Sequence, residues 1–189
     1  MSKIGNEFKE ATKILYRTRY YSIGIFVFMF LMVLIGFYKP DYFATEQMQF
    51  VSNLKELIKD KSFAELALLI ILNNIRAAFI GIILGIFFGI LPVLAAAVNG
   101  YLLGAIMKGT WQTAGSQTLL MVIPHGAFEI PSLCIAFGLG IKFGQWYSAE
   151  HKWEYIKKTF NDSMLVFFYI IVPMLVVAGL IEASLIIFN

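Results

Sequence analysis

Residues 63–107 read FAELALLIILNNIRAAFIGIILGIFFGILPVLAAAVNGYLLGAIM, 45 residues with only two charges, Glu65 and Arg76. As one straight helix they would extend about 67 Å at 1.5 Å per residue. That is roughly two thicknesses of a bilayer's hydrocarbon core, which is about 30 Å across. The stretch must fold back on itself. Pro92 is the expected break, because proline removes a helical hydrogen bond and crowds the preceding turn. Spans over about 64–90 and 92–107 follow, joined by a tight, uncharged turn. One long tilted helix, with 63–75 lying on the surface, is the alternative and would leave four spans instead of five.

The rest of the chain has the same character. Charge-free runs cover 20–38, 66–75, 77–107, 109–128 and 163–181. Apolar residues fill 59% of the 189 positions, charged residues only 14%, and the mean hydropathy is +0.76. A soluble domain carries about 25% charged residues to wet its surface, so lipid is the solvent this composition suits and a soluble enzyme is excluded. The expected fold is all-α, a polytopic transmembrane helical bundle of about five spans (about 20–38, 64–90, 92–107, 118–147 and 163–187). The first run lacks a small-residue cleavage site and is read as retained.

Residues 20–189 thus form the transmembrane domain, preceded by a basic segment, 1–19. There Lys3, Lys9, Lys13, Arg17 and Arg19 accompany Ile4, Phe8, Ala11 and Leu15 at helical spacing. Such a segment suits an amphipathic helix on an anionic leaflet; a solvated tail is the alternative. In 39–62, Phe50, Val51, Leu54, Leu57 and Ile58 predict a short surface helix. Residues 108–117 (KGTWQTAGSQ) read as a loop, and 148–162 as a polar segment. Basic residues favour the cytoplasmic side, which puts the N-terminus and Lys152, Lys157 and Lys158 inside a cell membrane and the C-terminus outside. Trp111, Trp146 and Trp153 fit interfacial belts. The formal charge of +3 gives no case for nucleic acid. Cys134, the single cysteine, reads as a small packing residue.

Small residues organise the bundle. Gly81, Gly85 and Gly89 form overlapping G-x-x-x-G steps extended backwards by Ala77. Ala96, Gly100 and Gly104 form a second ridge, and Ser132, Ala136, Gly140 and Gly144 a third. Lipid offers no hydrophobic drive between helices, so close backbone approach supplies the association. The pattern predicts tight packing through these ridges and a homodimer through one spare ridge.

Polar residues inside apolar runs are costly, about 2.5–3.5 kcal/mol for Arg or Asp at a helix centre on insertion scales, and must find partners. They are Asn73, Asn74, Arg76, Asn99, His125, Glu129 and, nearer a helix end, Lys142. His125 and Glu129 are four apart and share a helix face, and Arg76 is the expected partner of Glu129. Asn73, on the i+4 ridge with Ala77 and Gly81, is expected to point into the packed interface. Pro124 and Gly126 bracket His125 and suggest a broken or re-entrant segment. Three readings stay open: a structural polar network, an ion or proton path through Glu129 and His125, and a metal or catalytic site. The last is weakest, since two ligands fall short of the four of a structural zinc site. No acidic pair, serine–histidine set or Gly-rich phosphate loop is evident, and neither a metal nor a cofactor is expected.

The order Asn73-Asn74, Gly85, Asn99-Gly100 and then Pro124-His125-Gly126-Ala127-Phe128-Glu129-Ile130-Pro131 resembles the stage II sporulation protein M family, whose P-H-G-x-x-E-I/L-P signature is its most recognisable piece. The resemblance covers most of the chain. It carries Asn73, Asn74, Asn99, Gly100, His125, Gly126 and Glu129 over as family positions; Arg76 has no place in that pattern. It implies a multi-span membrane component. The sporulation member anchors a peptidoglycan-remodelling complex whose enzymes are other subunits, and relatives occur in organisms that do not sporulate. A non-enzymatic scaffold or assembly component is the leading expectation, and a channel or transporter for a small ion or solute using His125 and Glu129 is the alternative. The expected partners are the lipid bilayer, a second copy of the chain, and other membrane or envelope proteins.

Overall fold

Five helices long and apolar enough to cross a membrane run over Lys3–Tyr38, Phe63–Ile86, Ile90–Gln112, Gly126–Ser148 and Lys152–Phe188. The computed structural model describes residues 3–43, 61–115 and 119–188, with side chains described there except at 42–43, 113–114 and 119–125. Among the described residues the structure is helical and no strand occurs. We label α1 (Lys3–Tyr38), α2 (Phe63–Ile83, continued by a 3-10 turn, Leu84–Ile86), α3 (Ile90–Ala114), α4 (Leu119–Gly144), α5 (Lys152–Val166) and α6 (Val172–Phe188). The five-span reading therefore holds over the four-span alternative.

Several expected boundaries move. The basic N-terminal segment is not separate from the first span: α1 is one helix from Lys3 to Tyr38. The turn between the second and third spans falls at Phe87–Gly89, just before Pro92. Phe88 (φ 57°) and Gly89 (φ 72°) take left-handed torsions there, a region glycine enters freely and phenylalanine only rarely. Pro92 sits inside the first turn of α3, where its missing N–H costs nothing. The expected loop 108–117 is helical as far as Ala114. Its last turns are held by Trp111, stacked on Phe37 at 5.4 Å, and by Lys108 over the Trp111 ring. The predicted surface helix around Phe50–Ile58 lies outside the described residues.

The expected break at Pro124–Gly126 is absent, since α4 is helical throughout Leu119–Gly144. A distortion occurs instead in the last helix. Phe167–Ile171 forms a π segment joining α5 to α6. Pro173 explains it: without an N–H, proline cannot bond the carbonyl four residues back, that of Tyr169, and a π turn absorbs the mismatch. The polar segment 148–162 is largely the first part of this continuous helix.

Helix α4 is the centre of the bundle. Within its spanning window 56% of residues are buried, against 22–33% in the other four. Leu133, Cys134, Ala136, Phe137 and Leu139 of α4 meet Ile25 and Met29 of α1, Ala78 and Ile82 of α2, Ala96 of α3 and Leu175 of α6. Large apolar side chains such as Phe26, Phe30, Leu72, Leu94, Val98 and Phe168 face outward instead. Large apolar side chains thus occupy both the interior and the outward surface, and the glycines mark where helices come closest.

The helices approach backbone to backbone along the glycine ridges. A Cβ on Gly85 would lie 2.5 Å from the Gly140 carbonyl carbon, and one on Gly140 2.7 Å from the Pro92 ring. One on Gly144 would lie 2.6 Å from the Gly85 oxygen. Gly100 and Gly104 press instead on Met29 and Val33 of α1. Both sets of contacts are within the chain, so the spare ridge expected to make a homodimer is already occupied by a neighbouring helix.

Helix α1 crosses α4 where Gly138 meets Ser22. Its C-terminal half lies along α3, and Gly36 packs on Tyr101 and Ala105. Its N-terminal half lies on the last helix, where Ala11 and Ile14 join Val166 and Phe167 in the core. The Tyr169 hydroxyl donates to the Glu7 carboxylate across the same contact.

Candidate functional site

The polar residues singled out from sequence do not all converge. Glu129 is half-buried on α4. Asn74 is buried at 8% exposure, but Asn73 is exposed. This reverses the expected orientation, because each i+4 step slips about 40° around a helix of 3.6 residues per turn. Two steps from Gly81 carry Asn73 off the packed face, while the face proper runs Ala67, Ile70, Asn74, Ala78 and Gly81. Asn99 is exposed too, its Nδ2 donating to the Ala95 carbonyl at 2.8 Å within its own helix. A self-satisfied amide of that kind tolerates lipid without a partner helix. Gly100, its neighbour, is buried against α1.

Arg76 is exposed, and the expected Arg76–Glu129 ion pair is not among those of the described residues, where Lys13–Glu10 at 3.0 Å is the pair formed. Its long side chain leaves the packed face, as arginine does when the head can reach a polar boundary. The side chain of His125 lies outside the described residues. Gly126 is only loosely packed, with Ile130 as the nearest neighbour a Cβ there would meet, at 3.5 Å.

The group the sequence reading missed is Glu182. It is half-buried on α6, a helix that packs against α4, the helix of Glu129. Two half-buried carboxylates thus stand on helices that pack together. Among the described residues, no three His, Cys, Asp or Glu side chains group as metal ligands would.

A second concentration of charge lies where α1, α4 and α5 meet. Lys142 interacts electrostatically with Asp162 and Lys158 of α5 and Arg17 of α1. The Tyr155 hydroxyl donates to the Lys142 carbonyl at 2.8 Å, and the Tyr21 hydroxyl to Gln145 Oε1 at 2.8 Å. Aromatic groups crowd this end. Trp146 Nε1 donates to the Ile86 carbonyl at 2.8 Å, Arg19 stacks on Tyr16 and Tyr20, and Lys157 lies over Trp153. Mixed aromatic and basic groups are what a membrane–water boundary favours.

The five apolar helices, with large apolar side chains on their outward faces, define a multi-pass membrane protein. The sequence profile of the family described as Stage II sporulation protein M matches residues 22–185, nearly the whole bundle. The chain belongs to that family. It is also 26% identical over 161 residues to a protein of Methanocaldococcus jannaschii named Uncharacterized protein MJ0706, covering 78% of this chain and 68% of that one. No solved structure matches.

Proposed function

We propose that this chain is a non-enzymatic membrane scaffold, a rigid anchor that presents a basic platform to other membrane or envelope proteins. One observation carries the reading. Helix α1 and the helix Lys152–Phe188 are 36 and 37 residues long, about 55 Å each at 1.5 Å per residue. Each exceeds the hydrocarbon core of about 30 Å by some 25 Å. The surplus of both is basic, and the two surpluses pack on each other through Ala11, Ile14, Val166 and Phe167. Residues 3–19, Lys142 and 150–162 hold nine of the fifteen basic and five of the twelve acidic residues, a net +4, while the rest of the chain is −1. By the preference of basic segments for the cytoplasm, the platform and the N-terminus are cytoplasmic. Backbone contacts between α2 and α4 support rigidity. Family membership agrees with an assembly role.

A photo-crosslinking residue at Tyr16 or Trp153, both exposed on the platform, tests this in cells. The expected result is one discrete protein adduct of constant mass, with none from Leu94 or Val98 on the outward face of α3. Lack of platform adducts, together with a Glu129-dependent ion flux in proteoliposomes, would overturn it.

Glu129 and Glu182 support a second reading, a path for a proton or small cation. Carboxylates on two packed apolar helices are costly, and such groups mark proton and ion pathways. That reading requires flux that Glu129→Gln and Glu182→Gln each abolish while the fold survives.

A further inference from the structure

Two ridges at i+4 spacing wind side by side along the N-terminal half of α1. One is apolar: Ile4, Phe8, Tyr16 and Tyr20 are 68%, 52%, 66% and 69% exposed. Thr12 continues it, its hydroxyl satisfied by the Phe8 carbonyl at 2.9 Å. The other is basic: Lys9, Lys13 and Arg17, all exposed. Among the described residues, Phe8, Lys9, Thr12, Lys13, Tyr16 and Arg17 line one groove of about 490 Å³. Two of its rings are held by Arg19, which stacks on Tyr16 and Tyr20 and donates to the Tyr16 carbonyl at 2.6 Å and the Tyr20 hydroxyl at 2.9 Å. The opposite side of the same turns is fixed in the core, with Ala11, Ile14 and Thr18 buried at 3% exposure or less. This half of α1 is therefore packed upright in the protein rather than laid on the membrane plane.

Its upper turns meet water, not lipid. Phe8 precedes Tyr20, where the charge-free run of the span begins, by about 18 Å at 1.5 Å per residue. A tilt of 40°, the steep end for spanning helices, still leaves about 14 Å. The headgroup layer is only about 5–8 Å deep on each side of the core. Contiguous apolar groups so exposed to water mark a contact surface. Residues 8–20 hold four basic residues and one acid, Glu10, which selects a partner of opposite charge. A second copy would set one basic ridge against another, and like charges repel. We propose that this face of α1 docks an acidic amphipathic helix of a partner protein. The partner's apolar side chains sit on Phe8, Thr12 and Tyr16, and its carboxylates meet Lys9, Lys13 and Arg17. Anchors at helical spacing are a recurring mode of such recognition. The proposal rests on the scaffold reading and names the partner its platform takes.

The test uses the full chain in phosphatidylcholine nanodiscs and a fluorescent synthetic helix with leucine on one i+4 ridge and glutamate on the next. Fluorescence anisotropy is expected to show saturable binding, and none for the same peptide with lysine in place of glutamate. Phe8→Ser and Tyr16→Ser should each weaken binding about tenfold, as loss of one aromatic anchor does. Lys108→Gln, at the far end of α3, should not change it. Joint Lys9→Glu and Lys13→Glu substitution should lose the acidic peptide and gain the lysine one, an exchange that damage to the fold would not produce. Equal binding of a scrambled acidic peptide, or wild-type binding by both serine variants, would overturn the proposal. So would quenching of a dye on Phe8→Cys by brominated phosphatidylglycerol in the nanodisc, which would lay the face on lipid. Adducts from Trp153 in cells without peptide binding would remove this face and leave the scaffold reading standing.

Discussion

Consider a single methyl group added at Gly85. The new carbon would sit 2.5 Å from the Gly140 carbonyl carbon and 2.6 Å from its Cα. Non-bonded carbons settle at about 3.5 Å or more, so α2 and α4 must part by about 1 Å. Both obstructing atoms are backbone, and neither can rotate away. A gap of that size forfeits about a quarter to a half of each van der Waals well along the ridge, and van der Waals contact is the main force joining helices in lipid. Overpacking costs about 1–3 kcal/mol in well-packed cores, and a clash with backbone that cannot rotate aside belongs at the top of that range. About 3 kcal/mol is roughly a hundredfold in the folded population. The assay is reversible unfolding by sodium dodecyl sulfate from a mild detergent, followed by circular dichroism. Gly24→Ala is the control, because a Cβ there meets nothing within 4 Å. If Gly85→Ala unfolds at the same detergent fraction as Gly24→Ala, the interlocked ridges do not hold the bundle and the reasoning fails.

Other expected outcomes follow from the same contacts. Ser62→Ala removes the cap of α2, whose hydroxyl accepts from the Glu65 N–H, and should cost about 1 kcal/mol by the same unfolding assay. Trp146→Phe loses the bond to the Ile86 carbonyl and should cost about 1 kcal/mol, with faster amide exchange in the Leu84–Ile86 turn. Tyr169→Phe releases Glu7, so amides of residues 3–15 should exchange faster while those of 25–35 stay unchanged. Gly126→Ala, where a Cβ would meet Ile130 at 3.5 Å among the described residues, an ordinary contact, should leave stability as it is.

Span number and the packing ridges were legible because both rest on long-range composition: runs without charge, and glycine every fourth residue. The extent of the helices was not. Lys9, Lys13 and Arg17 are good helix formers, and polarity alone could not separate their segment from the apolar half of α1. Lys108–Ala114 looked like a loop from its Gly, Thr and Gln residues, but stacking on Phe37 extends the helix, a tertiary effect with no local signal. Asn73 was assigned to the packed face by an i+4 rule whose 40° slip matters over two turns. Glu182 was overlooked although a signal existed. It is the one carboxylate in the last apolar run, as Glu129 is in the fourth, and a search for solitary acids in apolar runs singles it out. The approach of Gly138 to Ser22 depends on the crossing of α1 over α4, which no spacing in the sequence encodes.

The platform and the orientation both depend on the basic half of α1 sharing one aqueous face with α5. Cysteine accessibility measures this in intact cells, and the native Cys134, buried in the core, does not interfere. Cysteine replaces Lys9, Glu154 or Phe188 one at a time, and a membrane-impermeant maleimide is added before and after permeabilisation. The expected result is that Lys9→Cys and Glu154→Cys react only after permeabilisation, whereas Phe188→Cys reacts from outside. Labelling of Lys9→Cys and Glu154→Cys from opposite faces would contradict the account.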